Sequence, residues 1–117
     1  MARHKSLNEL LREDIIDTRD LIELIDDLEE EGDQEEIARA KQFAAMVEDC
    51  SEDYLYGAQV IADHYFTEYA RELADDIGAI PRDGGWPTHC IDWEWAAREL
   101  KMDYSCVDFE GRGWWVR

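Results

Sequence analysis

Apolar residues in the first part of the chain recur at helical intervals. Leu7, Leu10, Leu11, Leu21, Ile22, Ile25 and Leu28 gather on one side when plotted at about 100° per residue. Ser6 and Glu9 stand in front of that stripe with the Ser-x-x-Glu spacing of a capping box, in which hydroxyl and carboxylate satisfy each other's backbone N–H. The pattern predicts one long helix from Leu7 to Glu31, stopped at Gly32. Asp33 and Glu36 repeat the capping spacing, and Ile37, Ala40, Ala44 and Val47 continue on one stripe. A second helix running back along the first, an antiparallel hairpin, is the expected result.

The stretch Tyr54–Gln59 fits neither period. From Asp63 the helical pattern returns in Phe66, Tyr69, Ala70, Leu73 and Ile77. Gly78 then occupies the place of a C′ glycine, with Ile80 as its hydrophobic follower and Pro81 barring continuation. Arg82-Asp83-Gly84-Gly85 reads as a loop, and Trp86-Pro87 leads to Asp92, an N-cap for a short helix carrying Trp93, Ala96, Ala97 and Leu100. After Asp103 the chain alternates from Tyr104 to Phe109, meets Glu110-Gly111 and resumes at Trp114-Trp115-Val116, the signature of a β-hairpin. The expected fold class is mainly α (α+β). An acidic helical hairpin over residues 1–53 precedes a small helical domain over 54–117 that ends in a C-terminal β-hairpin, the two forming one compact unit.

Length permits little more: 117 residues suffice for one domain or a small domain with an appendage. A hydrophobic share of 45%, with 5 Trp, 5 Tyr and 3 Phe, is too rich for a disordered acidic tail and requires a packed core. Charge changes the picture more. Asp and Glu total 30 against 12 Lys and Arg, a formal charge of −18, which argues against direct binding to nucleic acid or to anionic lipid. Residues 1–60 hold 18 acids and 6 bases, residues 61–117 hold 12 and 6. Cys50, Cys90 and Cys106 are far apart and odd in number, which fits no closed disulfide framework and points to a reducing compartment. The basic start Met1-Ala2-Arg3-His4-Lys5 is followed by no uninterrupted apolar run, so neither a signal peptide nor a membrane span is expected. The expected location is the cytoplasm of a host cell.

Catalytic chemistry finds few candidates. A Gly-x-Ser-x-Gly elbow, a Cys–His signature and a phosphate-cradling glycine loop are all missing, and Gly84-Gly85 is most simply a turn. His89, Cys90, His64 and Cys106 lack the Cys-x-x-Cys or His-x-x-x-His spacing of a zinc site. If Asp27 opened a calcium loop, the position that needs a bidentate Glu would hold Ala38. Carboxylate pairs abound, yet they fall on polar helix faces, where neither partner is desolvated as acid–base catalysis requires. The expectation is a protein without enzymatic activity, cofactor or metal.

The acids themselves form the informative pattern. On a continuous first helix Glu9, Glu13, Asp20 and Asp27 fall within about 40° of one another, and Glu30, Glu23, Asp26 and Glu29 widen the strip on one side. Glu13, Asp20 and Asp27 are spaced by about 10.5 Å along the axis, and acids of the neighbouring helix can fill the gaps, approaching phosphate spacing. Two such charges in water repel by only about 0.4 kcal/mol, which a firm apolar face tolerates. A merely solvated helix face, or adaptation to salt, would produce similar composition. A charge of −18 nonetheless exceeds the roughly 2–8 that serves solubility in a small domain. The ridge is the candidate partner-binding site, directed at the basic groove of a DNA-binding complex. An acidic adaptor that binds protein without imitating DNA is the alternative.

The second half adds a family likeness. The run from Asp63 to Ile80, Trp86-Pro87, the segment Ile91-Asp92-Trp93-Glu94-Trp95-Ala96-Ala97-Arg98-Glu99-Leu100 and the closing Val107-Asp108-Phe109-Glu110-Gly111 hairpin resemble the C-terminal region of ArdA antirestriction proteins. That family shows an aromatic-acidic helix ending in Gly-hydrophobic, a loop, an (I/F)-D-(W/Y)-E-x-x-A-R-(D/E)-L helix and a terminal hairpin. The likeness spans residues 61–117; typical members are longer, with further domains where this chain has its helical hairpin. The resemblance implies a phage or mobile-element decoy that mimics DNA, occupies the DNA groove of type I restriction-modification enzymes and pairs as a homodimer. It assigns Asp92, Trp93, Ala97, Arg98 and Leu100 to folding or dimerisation. The same decoy physics extends to a CRISPR effector.

Overall fold

In a computed structural model that describes residues 6–80 and 85–117, Ser6 opens helix α1 (Leu7–Leu10) with both halves of the expected capping box. The helix does not continue. The amides of Arg12 and Glu13 bond back only three residues, to Glu9 and Leu10, and the chain turns. Ile15–Asp17 then forms strand β1, and α2 (Thr18–Glu31) starts afresh behind Asp17, whose carboxylate accepts from the Arg19 amide at 2.9 Å. The continuous helix from Leu7 to Glu31 is thus corrected to helix, strand and helix. The physical reason lies in Ile15 and Ile16. As strand neighbours they point to opposite faces of a sheet and enter two different cores, which adjacent positions about 100° apart on a helix cannot do.

Helix α3 (Gln34–Cys50) follows after Asp33, and the two helices pack together as a hairpin with a Lys41–Glu29 ion pair across the seam. Asp33 caps as expected, accepting from the Glu35 amide at 3.0 Å. Glu36 does not complete a capping box; its carboxylate accepts from the Leu7 amide at 2.8 Å and ties α3 to α1 instead. Ile37, Ala40, Ala44 and Val47 are all buried.

The ambiguous stretch resolves into a single 3₁₀ turn (Tyr54–Tyr56) and strand β2 (Gln59–Ala62). Helix α4 (Phe66–Asp76) ends in a complete Schellman motif. Gly78 has φ of 74°, its N–H bonds Asp75 O at 3.1 Å, and Ala79 N–H bonds Ala74 O at 2.8 Å. The stop assigned to Pro81 and the loop assigned to Arg82, Asp83 and Gly84 lie outside the described residues. Asp92 caps α5 (Trp93–Lys101) by accepting from Trp95 N–H at 3.1 Å. The C-terminal hairpin is β3 (Ser105–Phe109) and β4 (Arg112–Val116). Its turn residues Glu110 and Gly111 both have positive φ, 52° and 83°, which suits the right-handed twist of the flanking strands.

The four strands form one antiparallel sheet in the order β1-β2-β4-β3, so the last strand in sequence is an inner strand. Alternation divides the sheet into two faces. Ile16, Val60, Ala62, Val107, Phe109, Trp114 and Val116 join Leu7, Leu21, Leu24, Phe43 and Val47 beneath α2 and α3. Ile61 and the half-buried Ile15 and Trp115 meet Phe66, Ala70 and Ala97 of α4 and α5 on the reverse. Phe43 stacks on Phe109 at 4.8 Å between ring centres and lies 5.8 Å from Trp114. On the other side Phe66 contacts Tyr69, Tyr104 and Trp115 at 5.2–5.8 Å. Thr18 stitches the junction. Its buried hydroxyl donates to Tyr54 O at 2.7 Å and accepts from Ala58 N–H at 2.9 Å, while its amide bonds Ala58 O. Phe43→Ala is expected to destabilise the fold by about 3–5 kcal/mol in urea unfolding, because a wholly buried ring contacts both hairpin strands.

Candidate functional site

The ridge survives in part. Glu9 lies on α1, where its carboxylate accepts the Ser6 amide at 3.0 Å, and Glu13 falls in the turn before β1. Neither continues the line of α2, so the alignment of Glu9 and Glu13 with Asp20 is corrected: it required the unbroken helix that Ile15 and Ile16 interrupt. On α2 itself Asp20, Glu23, Asp27 and Glu30 span an arc of about 80°, with Asp26 about 40° beyond it. Asp20, Glu23, Asp26 and Glu30 are exposed and Asp27 is half-buried. Glu29 stands apart at the seam, held by Lys41 at 2.6 Å. Behind these acids Leu21 and Leu24 are buried, which anchors the strip to the core.

Residues that the ridge did not include add to the same half. Glu48 and Asp49 at the end of α3 and Glu52 and Asp53 in the following turn are all exposed. No periodicity marks them, because they straddle a helix end.

The scarce bases are committed mostly to holding elements together. Arg39 grips Glu110 with two hydrogen bonds of 2.7 Å and reaches Asn8 at 3.0 Å, joining α3, the hairpin turn and α1. The guanidinium holds the Glu110 carboxyl below its ordinary value. Arg19 pairs with Asp17. Arg112 donates to Leu11 O, lies 5.1 Å over the Trp114 ring and approaches His64 Nδ1 at 3.3 Å. Because arginine only donates, His64 Nδ1 accepts in that bond, and Nε2 carries the proton toward Asp14 at 2.9 Å. Lys101 sits 4.9 Å over the Trp115 ring and reaches Asp63 at 3.3 Å. Each such pair removes one acid from the field, and most carboxylates are left to project it.

Asp92 caps α5, Ala97 is buried against the reverse core, and Trp93 and Leu100 are half-buried. Arg98 is exposed, 5.9 Å over the Trp95 ring. Of the stripe Trp93, Ala96, Ala97 and Leu100 only Ala97 is wholly covered, because α5 lies in the outer layer. Of the two hairpin tryptophans, Trp114 is core; Trp115 is half-buried with its indole N–H donating to Asp63 at 2.7 Å. Ile77, Trp86, Trp95 and Met102 expose large apolar area on or beside the α4 and α5 layer.

One concavity went unnoticed in the sequence. An open groove of about 520 Å3 is lined by Glu52, Asp53, Gln59, Tyr69, Tyr104 and Arg117, among others. The two tyrosine hydroxyls are 3.0 Å apart, and burial together with that bond pushes the Tyr69 phenol above its ordinary value. Tyr69 and Tyr104 read as a helix stripe and a strand alternation; nothing local marks them as neighbours. Among the described residues no group of three or more His, Cys, Asp or Glu could hold a metal ion, and no helix is long and apolar enough to cross a membrane.

No family model, curated protein or solved structure matches the chain. The acidic α2–α3 layer and the groove therefore carry the functional reading by their own chemistry.

Asp63 supplies a pH prediction. Its carboxyl is held below the ordinary value, first by the Trp115 indole and then by Lys101. A depressed carboxyl stabilises the fold above its unfolded pKa, and that contribution fades as pH falls through the folded value. Asp63→Asn is expected to lower Tm at neutral pH, with the gap to wild type closing as pH falls below the ordinary carboxylate range and through the depressed folded value. A gap independent of pH would dissociate the carboxylate from stability.

Proposed function

We propose that this protein is an acidic DNA mimic that inhibits a bacterial defence enzyme by occupying its DNA-binding surface. The supporting observation is a carboxylate strip on α2 whose charges are exposed on one side and braced by buried leucines on the other. Lys and Arg side chains that normally hold phosphates would pair with Asp20, Glu23, Asp26, Asp27 and Glu30, with Glu48, Asp49, Glu52 and Asp53 extending the field. The molecule measures 54 × 30 × 24 Å, a length that runs beside about 16 base pairs at 3.4 Å per phosphate. Mimicry by this route is competition, without bond making or breaking.

The resemblance to ArdA proteins names a type I restriction-modification enzyme as the first target to try, and a CRISPR effector complex as the second. It also suggests a homodimer, for which exposed Trp95 and Ile77 offer apolar area. The cytoplasm of the host cell is the compartment where such targets are met.

The same exposed aromatic side chains favour a second reading, an acidic adaptor that docks protein without imitating DNA. The two separate on salt and on DNA. Pull-down from a bacterial lysate with excess duplex DNA as competitor is expected to recover restriction or CRISPR subunits that the DNA displaces. Affinity for the purified complex should fall about 10³-fold between 50 and 200 mM salt if six or so charge contacts form. Asp20→Lys, Asp26→Lys and Glu30→Lys combined should abolish inhibition. Salt-tolerant binding that survives this charge reversal but is lost in Trp95→Ala would establish the adaptor instead.

A further inference from the structure

The groove beside the sheet combines three features that recognise one kind of side chain. Tyr69 and Tyr104 supply aromatic surface, Glu52 and Asp53 supply exposed carboxylates, and Gln59 adds an exposed amide. Arg117 already lays its guanidinium 6.0 Å from the Tyr104 ring centre, at the outer limit of a cation–π contact. It also lowers the Tyr69 phenol pKa against the other influences there, so its charge is felt by both tyrosines. A planar cation thus rests within a groove whose other charged lining residues are anionic.

The geometry points to an arginine-accepting subsite: the groove takes the guanidinium of an arginine presented by a partner protein, and Arg117 is its internal placeholder. Arginine suits the site better than lysine, because its flat, weakly hydrated head stacks on a ring while its N–H groups reach carboxylates at the rim. The tyrosines are braced for this. Tyr69 and Tyr104 bond to each other, and both pack on Phe66, so the rings hold their place when a cation arrives or leaves. Glu52 and Asp53 adjoin the α3 end of the acidic layer, so a basic partner drawn in by that field meets the groove at its margin. The proposal rests on the acidic mimic reading only for who owns the arginine; the chemistry of the subsite is independent of it.

The test uses the isolated chain and small probes. N-acetyl-arginine amide is titrated while backbone amide NMR signals are followed, with N-acetyl-citrulline amide as the uncharged near-isostere. The expected result is weak, saturable binding to arginine, with shifts confined to Gln59, Tyr69, Tyr104 and their neighbours, and none with citrulline. Glu52→Gln with Asp53→Asn should weaken it about fivefold, since each exposed carboxylate contributes modestly. Arg117→Ala should tighten it about threefold by vacating the groove and removing a like charge. These exposed positions leave the core intact, which the dispersion of the remaining signals verifies. Equal shifts with citrulline, no saturable shift with arginine, or loss of binding in Arg117→Ala would overturn the proposal, the last because removing a like charge from a cation site cannot weaken it. Because no defence enzyme is present, failure here leaves the acid ridge standing, and failure of DNA competition leaves the groove standing.

Discussion

The pairing of β4 with both β2 and β3 is the constraint on which the rest of the structure depends. Arg112–Val116 lies in the middle of the sheet, so its Trp114 and Val116 close the core under α2 and α3 while Trp115 reaches the opposite layer. Without β4 the pair of β1 and β2 has the inner edge of β2 unpaired, and Phe43 loses Trp114 and, because β3 joins the sheet only through β4, the Phe109 it carries. The hairpin turn brings its strands together locally, but the β2–β4 pairing links residues more than fifty positions apart. Such long-range closure is costly in chain entropy, and burial on both faces of one strand repays it.

Charge sets the second requirement. A net −18 on a small domain drives its parts away from one another, so acids must remain at the periphery and bases must be placed where they join elements. Arg39 between α3 and the hairpin turn, Arg112 between β4 and the end of α1, and Lys101 between α5 and Asp63 all have that role. Basic residues bridge secondary structure, while the outer faces of α2 and the end of α3 stay acidic. The distribution gives a strong negative field without a weak interior.

The two layers over the sheet differ in kind. The α2–α3 layer covers a large aliphatic and aromatic core and presents carboxylates; the α4–α5 layer is held by Phe66, Ala70 and Ala97 and leaves Trp95, Ile77 and Met102 exposed. Between the sheet's reverse face and the acidic turn lies the tyrosine-lined groove. Electrostatic attraction and local recognition thus sit side by side, the first acting at a distance and the second only on contact.

Local chemistry was legible wherever one residue type dictates one backbone geometry. Ser6 with Glu9, Asp33 and Asp92 mark helix starts, Gly78 marks a helix stop, and Glu110-Gly111 marks the hairpin turn, because each satisfies or frees backbone groups within a few residues of itself. The α3 stripe and the acidic character of α2 follow equally from spacing. Tertiary structure alone decided the rest. The Leu7–Glu31 apolar pattern is compatible with an unbroken helix, and only pairing with Gln59–Ala62, far away in sequence, turns Ile15–Asp17 into a strand and detaches Glu9 and Glu13 from the ridge. Glu36 could cap its own helix, yet it caps α1 because packing brings the Leu7 amide within reach. Tyr69, Tyr104 and the acids at 52 and 53 become one groove for the same reason: the sequence by itself determined which groups want partners nearby, and the fold decided which distant ones they found.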